Sequence, residues 1–224
     1  MAVMAIEKLK TIVLHGAREF PPAEHVLQRL LKKRPHDRVD AAVWDDQYNA
    51  GGWDFLTGIL DASRHAVVAE WREQLKPGGA ILEIGCGTGH LCRVMRRCGY
   101  ERYLGVDISQ AAIAKAEAEL ADAQTRFVAG DAATMALEER FDTIVINEAL
   151  NYFVGPGEFL RRLHANLLPG GILIISMAQC DLRDGLSKLA IWREIAPDHT
   201  SIQEVSLHRR PWPIWIIKAL RPVG

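Results

Sequence analysis

Short apolar runs alternate with helical patterns over the second half of the chain. Four runs are nearly continuous in apolar residues, which is typical of strands buried on both faces: 80–84, 103–106, 143–146 and 172–176. A strand, helix, strand order repeated in this way predicts parallel pairing with right-handed crossovers. The pattern therefore predicts an α/β domain built around an open, mostly parallel sheet.

Helical patterns fill the gaps between these runs. Residues 109–120 are rich in Ala, Glu and Lys, with Ser109 as the predicted N-cap. Residues 157–168 carry apolar side chains at helical spacing. Pro-Gly-Gly occurs twice, at 77–79 and 169–171, and predicts at both places that a helix stops and a strand begins.

The two ends of the chain differ from this central pattern. Residues 1–76 read as a mainly helical extension, with an amphipathic helix predicted at 23–33 and a basic KKR cluster at 32–34. Near the other end, QEVSLHR and IWIIKAL flank RPWP, which predicts an antiparallel hairpin at the sheet edge. We therefore expect a helical cap over 1–76 and an α/β domain over 77–224.

Composition narrows the class of protein. The net charge is −1, from 27 basic and 28 acidic side chains, so no overall field draws the chain to nucleic acid or to an anionic membrane. The 4 cysteines form no C-x-x-C pair, which favours reduced thiols in the cytoplasm. We expect no signal peptide and no membrane span, because apolar runs of the required length are missing.

A glycine-rich turn, ILEIGCGTGHL at 81–91, directly follows the first apolar run. A P-loop needs G-x-x-x-x-G-K-[ST], but Gly89 is followed by His90 and Leu91. A dinucleotide turn needs G-x-G-x-x-G, and His90 stands at the position of the third glycine. Neither phosphate-binding motif is therefore complete.

Acidic residues near the predicted strand ends indicate a different ligand. Glu83 would repel a pyrophosphate but suits an ammonium group, and Asp107 can accept hydrogen bonds from ribose hydroxyls. Asp131, with the backbone N–H beside it, can read the edge of an adenine. An amino acid end, a ribose and an adenine without a phosphate describe S-adenosylmethionine.

At this point the sequence resembles the class I S-adenosylmethionine-dependent methyltransferases, of the bacterial small-molecule type. The resemblance covers roughly residues 80–220 and rests on motifs that occur in order: LEIGCGTG at 82–89, VDIS at 106–109, GDA at 130–132, FDTIVINEAL at 141–150 and LLPGGILIIS at 167–176. It implies a doubly wound, seven-stranded sheet whose last strand is antiparallel. It also implies that Glu83 lies near the methionine end, Asp107 at the ribose, and Asp131 with Ala132 at the adenine.

A segment before the core, VWDDQYNAGGWDFL at 43–56, resembles a part of bacterial small-molecule methyltransferases that folds over the cofactor. Tyr48 and Trp53 are assigned to the cofactor on that resemblance, and packing of a helix on the core is the alternative. The thiol of Cys86 is expected to pack rather than to react. The predicted cofactor-binding residues are Tyr48, Trp53, Glu83, Gly85, Cys86, Gly87, Asp107, Ile108, Asp131, Ala132 and Asn147.

The segment 146–153, INEALNYF, carries information about the methyl acceptor. It has Asn147 but lacks the [DN]-P-P-[YF] turn that methyltransferases of nucleic-acid bases share, and no Asp there could hold magnesium. Tyr152 stands where small-molecule relatives often have a His. We expect Glu148 and Tyr152 to be the catalytic residues, and His208 is a further candidate base. The alternatives are a hydrogen bond to the cofactor's loop for Glu148, a place in the pocket wall for Tyr152 and a structural role for His208. Residues 179–197, with Trp192 and Arg193, could line the acceptor site.

The predicted function is metal-free methyl transfer from S-adenosylmethionine to an oxygen or nitrogen atom of a small molecule such as a sugar or a natural product. An RNA or protein methyltransferase, using the KKR cluster and the Trp-rich hairpin, is the alternative. A binding module that keeps the cofactor fold without catalysis is the third possibility. The identity of the acceptor and the oligomeric state, including a homodimer, stay open.

Overall fold

The computed structural model describes residues 40–180, 182–208 and 214–223. The helix predicted at 23–33, the KKR cluster and the RPWP turn lie outside these ranges. The helical cap predicted over 1–76 is therefore described only from residue 40 onward, and its boundary with the α/β domain stays a prediction.

A seven-stranded sheet organises the described chain, in the order β3-β2-β1-β4-β5-β7-β6. Strands β1 to β5 pair in parallel, and β7 runs antiparallel to both β5 and β6. This confirms the predicted mostly parallel sheet with an antiparallel last strand. The strands are Ile81–Ile84, Tyr103–Asp107, Thr125–Ala129, Phe141–Asn147, Leu167–Gln179, His199–His208 and Ile214–Pro222.

Helices cover both faces of the sheet, as expected for a doubly wound fold. The α-helices α1 to α6 are Ala41–Asn49, Ile59–Leu75, His90–Cys98, Gln110–Leu120, Pro156–Leu163 and Leu182–Ile195. One buried apolar cluster joins α5 and α6 to one face, and a second joins α2, α3 and α4 to the other. None of the helices in the described ranges is long and apolar enough to cross a membrane.

Strand alternation decides which face of the sheet carries the polar groups. On β1, Leu82 and Ile84 belong to the cluster beneath α5 and α6, so Glu83 points to the opposite face. The same alternation sends Asp107 and Asn147 to that face, because Val106 and Ile146 belong to the α5 and α6 cluster. The acidic and amide side chains at the strand ends therefore share the face that α2, α3 and α4 cover.

The helix predicted at 157–168 is shorter than expected. Helix α5 ends at Leu163, a 3₁₀ turn spans His164–Asn166, and β5 already begins at Leu167. The Asn166 side chain donates to the backbone carbonyls of Leu137 and Glu139, at 2.7 and 2.9 Å, which anchors this turn. The prediction that a strand begins after the second Pro-Gly-Gly is also wrong, because the tripeptide lies inside β5 at a register shift opposite β4.

The first Pro-Gly-Gly and the Ser109 cap are confirmed. Helix α2 ends at Leu75 and β1 begins at Ile81. The Ser109 hydroxyl accepts from the backbone N–H of Ala112 at 3.1 Å, which is the N-cap interaction of α4.

We call residues 41–57 the clasp: α1 is held against α4, and the 3₁₀ turn Asp54–Thr57 that follows it packs on α2. One oxygen of Asp45 accepts from the Ser109 hydroxyl at 2.6 Å and from the Ala111 N–H at 3.0 Å. Lys115 donates to the Tyr48 carbonyl at 2.6 Å. A carboxylate at a helix N-terminus is favourable because the first N–H groups of a helix lack partners within it.

We predict that Asp45→Ala lowers the free energy of unfolding by about 1 kcal/mol, through loss of this cap. The matched control is Asp46→Ala, an exposed neighbour on the same helix, which should change stability by less than about 0.5 kcal/mol. Urea titration of both variants measures the difference. Equal stabilities of the two variants would mean that Asp45 does not secure the clasp.

Candidate active site

A cavity of about 430 Å³ opens at the carboxyl ends of β1, β2 and β4 and against the clasp. The strand order changes direction between β1 and β4, which is where open α/β sheets bind ligands. Every cofactor-binding or catalytic residue that the sequence predicts lines this cavity: Tyr48, Trp53, Glu83, Gly85, Cys86, Gly87, Asp107, Ile108, Asp131, Ala132, Asn147, Glu148 and Tyr152.

The glycine turn after β1 presents bare backbone to the cavity. Gly85 has a φ of +73°, and a Cβ on it would lie 2.5 Å from the Cβ of Ala149. Gly87 has a φ of +52°, and its Cβ would lie 2.7 Å from the Tyr48 hydroxyl. Both the backbone conformation and the space therefore require glycine at these positions.

Glu83 is a carboxyl group enclosed in the sheet, with only 2% of the residue exposed. Burial raises its pKa to about 8, while the hydrogen bond from the Tyr103 hydroxyl and the charge of Arg64 oppose that rise. Glu83 is therefore largely protonated at neutral pH in the free protein, and a cation placed beside it would favour its ionised form.

Asp107 ties the glycine turn to the next helix. One of its oxygens accepts from the Gly87 N–H at 2.8 Å, and the other accepts from the Ser109 N–H at 2.9 Å. Burial raises the pKa of Asp107, and the N–H groups of Ser109 and Gly87 counteract this. Because a carboxylate oxygen can accept more than one hydrogen bond, both oxygens can still accept from a ligand.

Asp131 shapes the backbone at the end of β3. Its carboxylate accepts from the Ala133 N–H at 2.9 Å and from the Thr134 hydroxyl at 3.2 Å. Arg162 donates to the carbonyl of Ala132 at 2.7 Å from the other side. This loop is thus held from both directions where it lines the cavity.

The loop after β4 is fixed by a network of hydrogen bonds. Asn147 accepts from Arg64 at 2.9 Å, and the Ser176 hydroxyl, which has one proton to share, lies within hydrogen-bond distance of both Asn147 and Glu148. Glu148 has a φ of +61°, and its carboxylate accepts from the Ser176 hydroxyl at 2.7 Å and from the Ala178 N–H at 2.6 Å. Both oxygens of Glu148 are therefore engaged with β5, which favours an anchoring role for this side chain.

The side chains of Tyr48, Cys86 and Tyr152 stay in their neutral forms. Burial raises the pKa of Tyr152, so its phenol is protonated at neutral pH and can donate a hydrogen bond but not act as a base. Burial likewise raises the pKa values of Tyr48 and Cys86. The Cys86 thiol packs within the apolar cluster beneath α2, α3 and α4.

The sequence analysis did not name several residues of the cavity lining, among them Arg64 and His65 of α2. Arg64 is 3% exposed, forms an ion pair with Asp61 at 3.4 Å and reaches Asn147 across the cavity. Burial lowers the pKa of His65 to about 3, so its imidazole is neutral. Both residues lie one helical turn before the buried Val68, and this spacing could have indicated that they lie on the apolar face of α2.

Some residues that the sequence analysis named lie away from the cavity. Trp192 is buried in the apolar core beneath α5 and α6, and neither it nor Arg193 lines the cavity. From the segment 179–197 it is Cys180 and Lys188 that reach the cavity. His208 is exposed at the end of edge strand β6, so it is not positioned to act as a base.

A family model described as "Methyltransferase domain" matches residues 59–210, which is more than half of the chain. The chain belongs to this family. The ubiquinone biosynthesis O-methyltransferase of Bradyrhizobium diazoefficiens is 36% identical over 104 residues, covering 44% of this chain and 40% of the relative. The ribosomal protein L11 methyltransferase of Burkholderia vietnamiensis is 29% identical over 154 residues, covering 64% of this chain and 48% of the relative. The alignments thus span less than half the length of these curated relatives.

Solved structures support the same fold. The N-methyltransferase NodS from Bradyrhizobium japonicum WM9, in complex with S-adenosylhomocysteine, superposes with a TM-score of 0.66 at 18% identity, covering 77% of this chain and 92% of that one. Magnesium protoporphyrin IX methyltransferase from Synechocystis PCC 6803, also with S-adenosylhomocysteine, gives a TM-score of 0.61 at 20% identity, covering 81% and 100%. The predicted resemblance to class I S-adenosylmethionine-dependent methyltransferases is confirmed.

We predict that Glu83 makes a contribution to the stability of the ligand-free protein that falls as the pH rises from about 5 to 8, whereas His65, whose pKa is lowered, contributes in the opposite sense up to its ordinary value of 6.5. The pKa of Glu83 is about 8 in the folded state, whereas its ordinary value is 4.5. The stability gained from binding this proton is therefore complete below pH 4.5 and is lost as the pH rises through 8. The free energy of unfolding should fall by at most about 1.4 kcal/mol per pH unit from this group.

Glu83→Gln should remove this component of the pH dependence, and the exposed control Glu117→Gln should retain it. Urea titrations at several pH values measure the slopes. If wild type and Glu83→Gln show the same slope, the carboxyl of Glu83 is not held protonated by burial.

Proposed function

We propose that the chain transfers a methyl group from S-adenosylmethionine to an oxygen or nitrogen atom of a small molecule, by direct displacement and without a metal ion. S-adenosylmethionine is the cofactor of this fold, and both structural neighbours named above hold its demethylated product. The observation that carries the proposal is one cavity in which buried Glu83, Arg64 and Asp107 surround the exposed backbone of a glycine turn.

The methionine end of the cofactor is a zwitterion, and the cavity offers one buried group for each charge. Glu83 is placed to receive the ammonium group, whose charge would shift the carboxyl to its ionised form. Arg64 is placed to receive the carboxylate, because its guanidinium lines the cavity while remaining bound to Asn147. These paired charges favour an amino acid over a phosphate at this end.

The rest of the cofactor follows the strand ends. Asp107 retains acceptor capacity for the ribose hydroxyls beyond the two backbone N–H groups that it already binds. Ile108, Asp131 and Ala132 line the cavity at the predicted adenine position. Tyr48 and Trp53 of the clasp line it from the other side.

Methyl transfer from a sulfonium is an in-line displacement. The nucleophile's electron pair forms the new bond to the methyl carbon, while the bond between carbon and sulfur breaks and its electron pair stays on the sulfur. Holding the acceptor in line can supply about 7–11 kcal/mol of the barrier reduction. The clasp and the fixed loop after β4 are the elements that would align the acceptor and limit access of water.

In this proposal Glu148 and Tyr152 assist methyl transfer mainly by holding the loop and the acceptor in place. Tyr152 stays protonated, so it can orient an acceptor by donating a hydrogen bond. The Glu148 carboxylate is committed to Ser176 and Ala178, which keeps the loop in place. A general-base role for Glu148 stays a prediction that mutation can separate from anchoring.

A small-molecule acceptor is supported by the size of the cavity, since about 430 Å³ falls within the range of roughly 300–1,000 Å³ common for such ligands. The near-zero net charge also gives no attraction for nucleic acid. Protein methylation is the second candidate, because one of the curated relatives acts on a ribosomal protein. The cytoplasmic location expected from the cysteine pattern stays a prediction.

We predict that Asp107→Ala weakens binding of S-adenosylhomocysteine by about 10–100-fold, because hydrogen bonds to a charged group contribute about 1.5–3 kcal/mol. Calorimetric titration measures the affinity, and a thermal melt checks that the variant is folded. Asp46→Ala is the control and should bind as wild type does. Equal affinity of Asp107→Ala and wild type would overturn the assignment of the ribose site.

We predict that Glu148→Gln lowers the free energy of unfolding by about 1–3 kcal/mol, because the amide cannot accept from both Ser176 and Ala178. The turnover rate of the folded variant should fall by less than about tenfold. A loss of about 100–10,000-fold in turnover with unchanged stability would instead identify Glu148 as the general base. Methyl transfer to an accepted substrate and urea unfolding measure the two quantities.

A further inference from the structure

The clasp and the loop after β4 together build an aromatic wall, which we define as Tyr48, Trp53, Trp44, Phe55 and Tyr152. The ring centroids of Tyr48 and Trp53 lie 6.2 Å apart, those of Trp53 and Trp44 5.6 Å, and those of Trp53 and Phe55 5.8 Å. Trp44 and Tyr152 meet edge to face at 5.0 Å. The wall is therefore one connected surface of packed rings.

The wall runs from the cofactor turn to the solvent. Its inner member, Tyr48, places its hydroxyl beside Gly87 of the glycine turn. Its outer members are exposed, Phe55 by 61% and Tyr152 by 41%, and Val154 beside them in the cavity lining is exposed by 70%. Large apolar side chains are thus left in water at the cavity mouth, which is costly unless a ligand covers them.

Three charged side chains that line the cavity, Lys188, Asp61 and Glu148, already have protein partners. Lys188 donates to Asp184 at 2.9 Å and to the Ala178 carbonyl, and Asp61 pairs with Arg64. The Glu148 carboxylate is bound by β5. A charged acceptor would have to displace one of these contacts, whereas an uncharged acceptor would not.

We propose that the methyl acceptor is an uncharged molecule with an apolar body, either an aromatic ring or a hydrocarbon chain, that lies along the aromatic wall and leaves the cavity between Phe55 and Val154. The nucleophilic atom lies at the inner end, beside the cofactor, and the apolar body covers the exposed side chains at the mouth. This proposal rests on the proposed function and assigns the acceptor class for the same site.

The arrangement of the rings favours an extended apolar ligand over a small cation. Aromatic faces also bind ammonium groups, which requires several rings around one point. Here Trp44, Tyr48 and Phe55 each pack on Trp53, with interplanar angles of 33–37°, so these rings contact one another and do not enclose an open point for a cation. A sugar would leave the apolar mouth uncovered and gain little from it.

The test is calorimetric binding of 4-alkylphenols, from methyl to butyl, to the full chain saturated with S-adenosylhomocysteine. We expect the affinity to rise by about two- to fourfold for each added methylene that covers the mouth. Methyl glucoside and trimethylphenylammonium should bind more weakly than 4-butylphenol. Affinity that is independent of chain length, or tighter binding of the glucoside or the ammonium compound, would overturn the proposal.

Two matched variants locate the effect. Val154→Ser should reduce the gain per methylene at least twofold, whereas Val43→Ser, which changes a valine of similar character that is 45% exposed but outside the cavity lining, should leave it unchanged. Identical behaviour of the two variants would place the alkyl chain elsewhere. A first titration with S-adenosylhomocysteine alone separates the two proposals. No binding of S-adenosylhomocysteine would contradict the proposed function. Tight binding of S-adenosylhomocysteine, with an alkylphenol affinity that does not depend on chain length, would contradict only the acceptor class.

Discussion

The carboxylate of Asp107 holds the parts of the site together. It accepts hydrogen bonds from the glycine turn after β1 and from the first turn of α4. The same Ser109 whose N–H binds Asp107 uses its hydroxyl to bind Asp45 of the clasp. Turn, helix and clasp are therefore positioned by two carboxylates that meet at one serine. A buried carboxylate without such donors would be strongly unfavourable, so this arrangement constrains the local backbone.

Two buried acids leave the inner part of the cavity prepared for a positively charged ligand, although the charge of Arg64 already opposes part of the rise in the pKa of Glu83. Burial raises the pKa values of Glu83 and Asp107, which means that the ionised forms of both are disfavoured in the free protein. A ligand that brings an ammonium group and hydroxyl donors relieves this cost. The outer part of the cavity is apolar instead, because it is lined by aromatic rings and by Val154, which is exposed to water. In the proposed function, the polar inner end would hold the cofactor and the apolar outer end would hold the acceptor.

The sheet, and the presence of acidic side chains along the cavity, could be predicted because their signals are local. Buried parallel strands read as apolar runs, and Glu83 lies within the first such run while Asp107 directly follows the second. Strand alternation then determines which face these side chains share. The end of α5 could not be predicted, because the leucines at 167 and 168 continue a helical spacing while pairing with β4 draws Leu167 into the sheet.

The remaining contacts of the site depend on residues far apart in the chain. Arg64 and Asn147 are separated by 83 positions, and Glu148 and Ala178 by 30. The hydrophobic periodicity of a sequence does not indicate which distant residues will be in contact. The anchoring of Glu148 and the positions of Arg64 and His65 could therefore be recognised only from the structure. The aromatic wall is an intermediate case. The sequence shows that residues 43–56 are rich in aromatic residues and glycine, but it does not show that they contact Tyr152.

The central claim is that the buried carboxyl of Glu83 meets the ammonium group of S-adenosylmethionine. The most direct test is calorimetric titration of the cofactor at pH 7 in buffers that differ in ionisation enthalpy, which counts the protons exchanged on binding. With a pKa of about 8 before binding, Glu83 is mostly protonated and should release close to one proton as it ionises beside the ammonium group. Glu83→Gln should release none. Binding of wild type with no proton release, or with proton uptake, would contradict this account of the site.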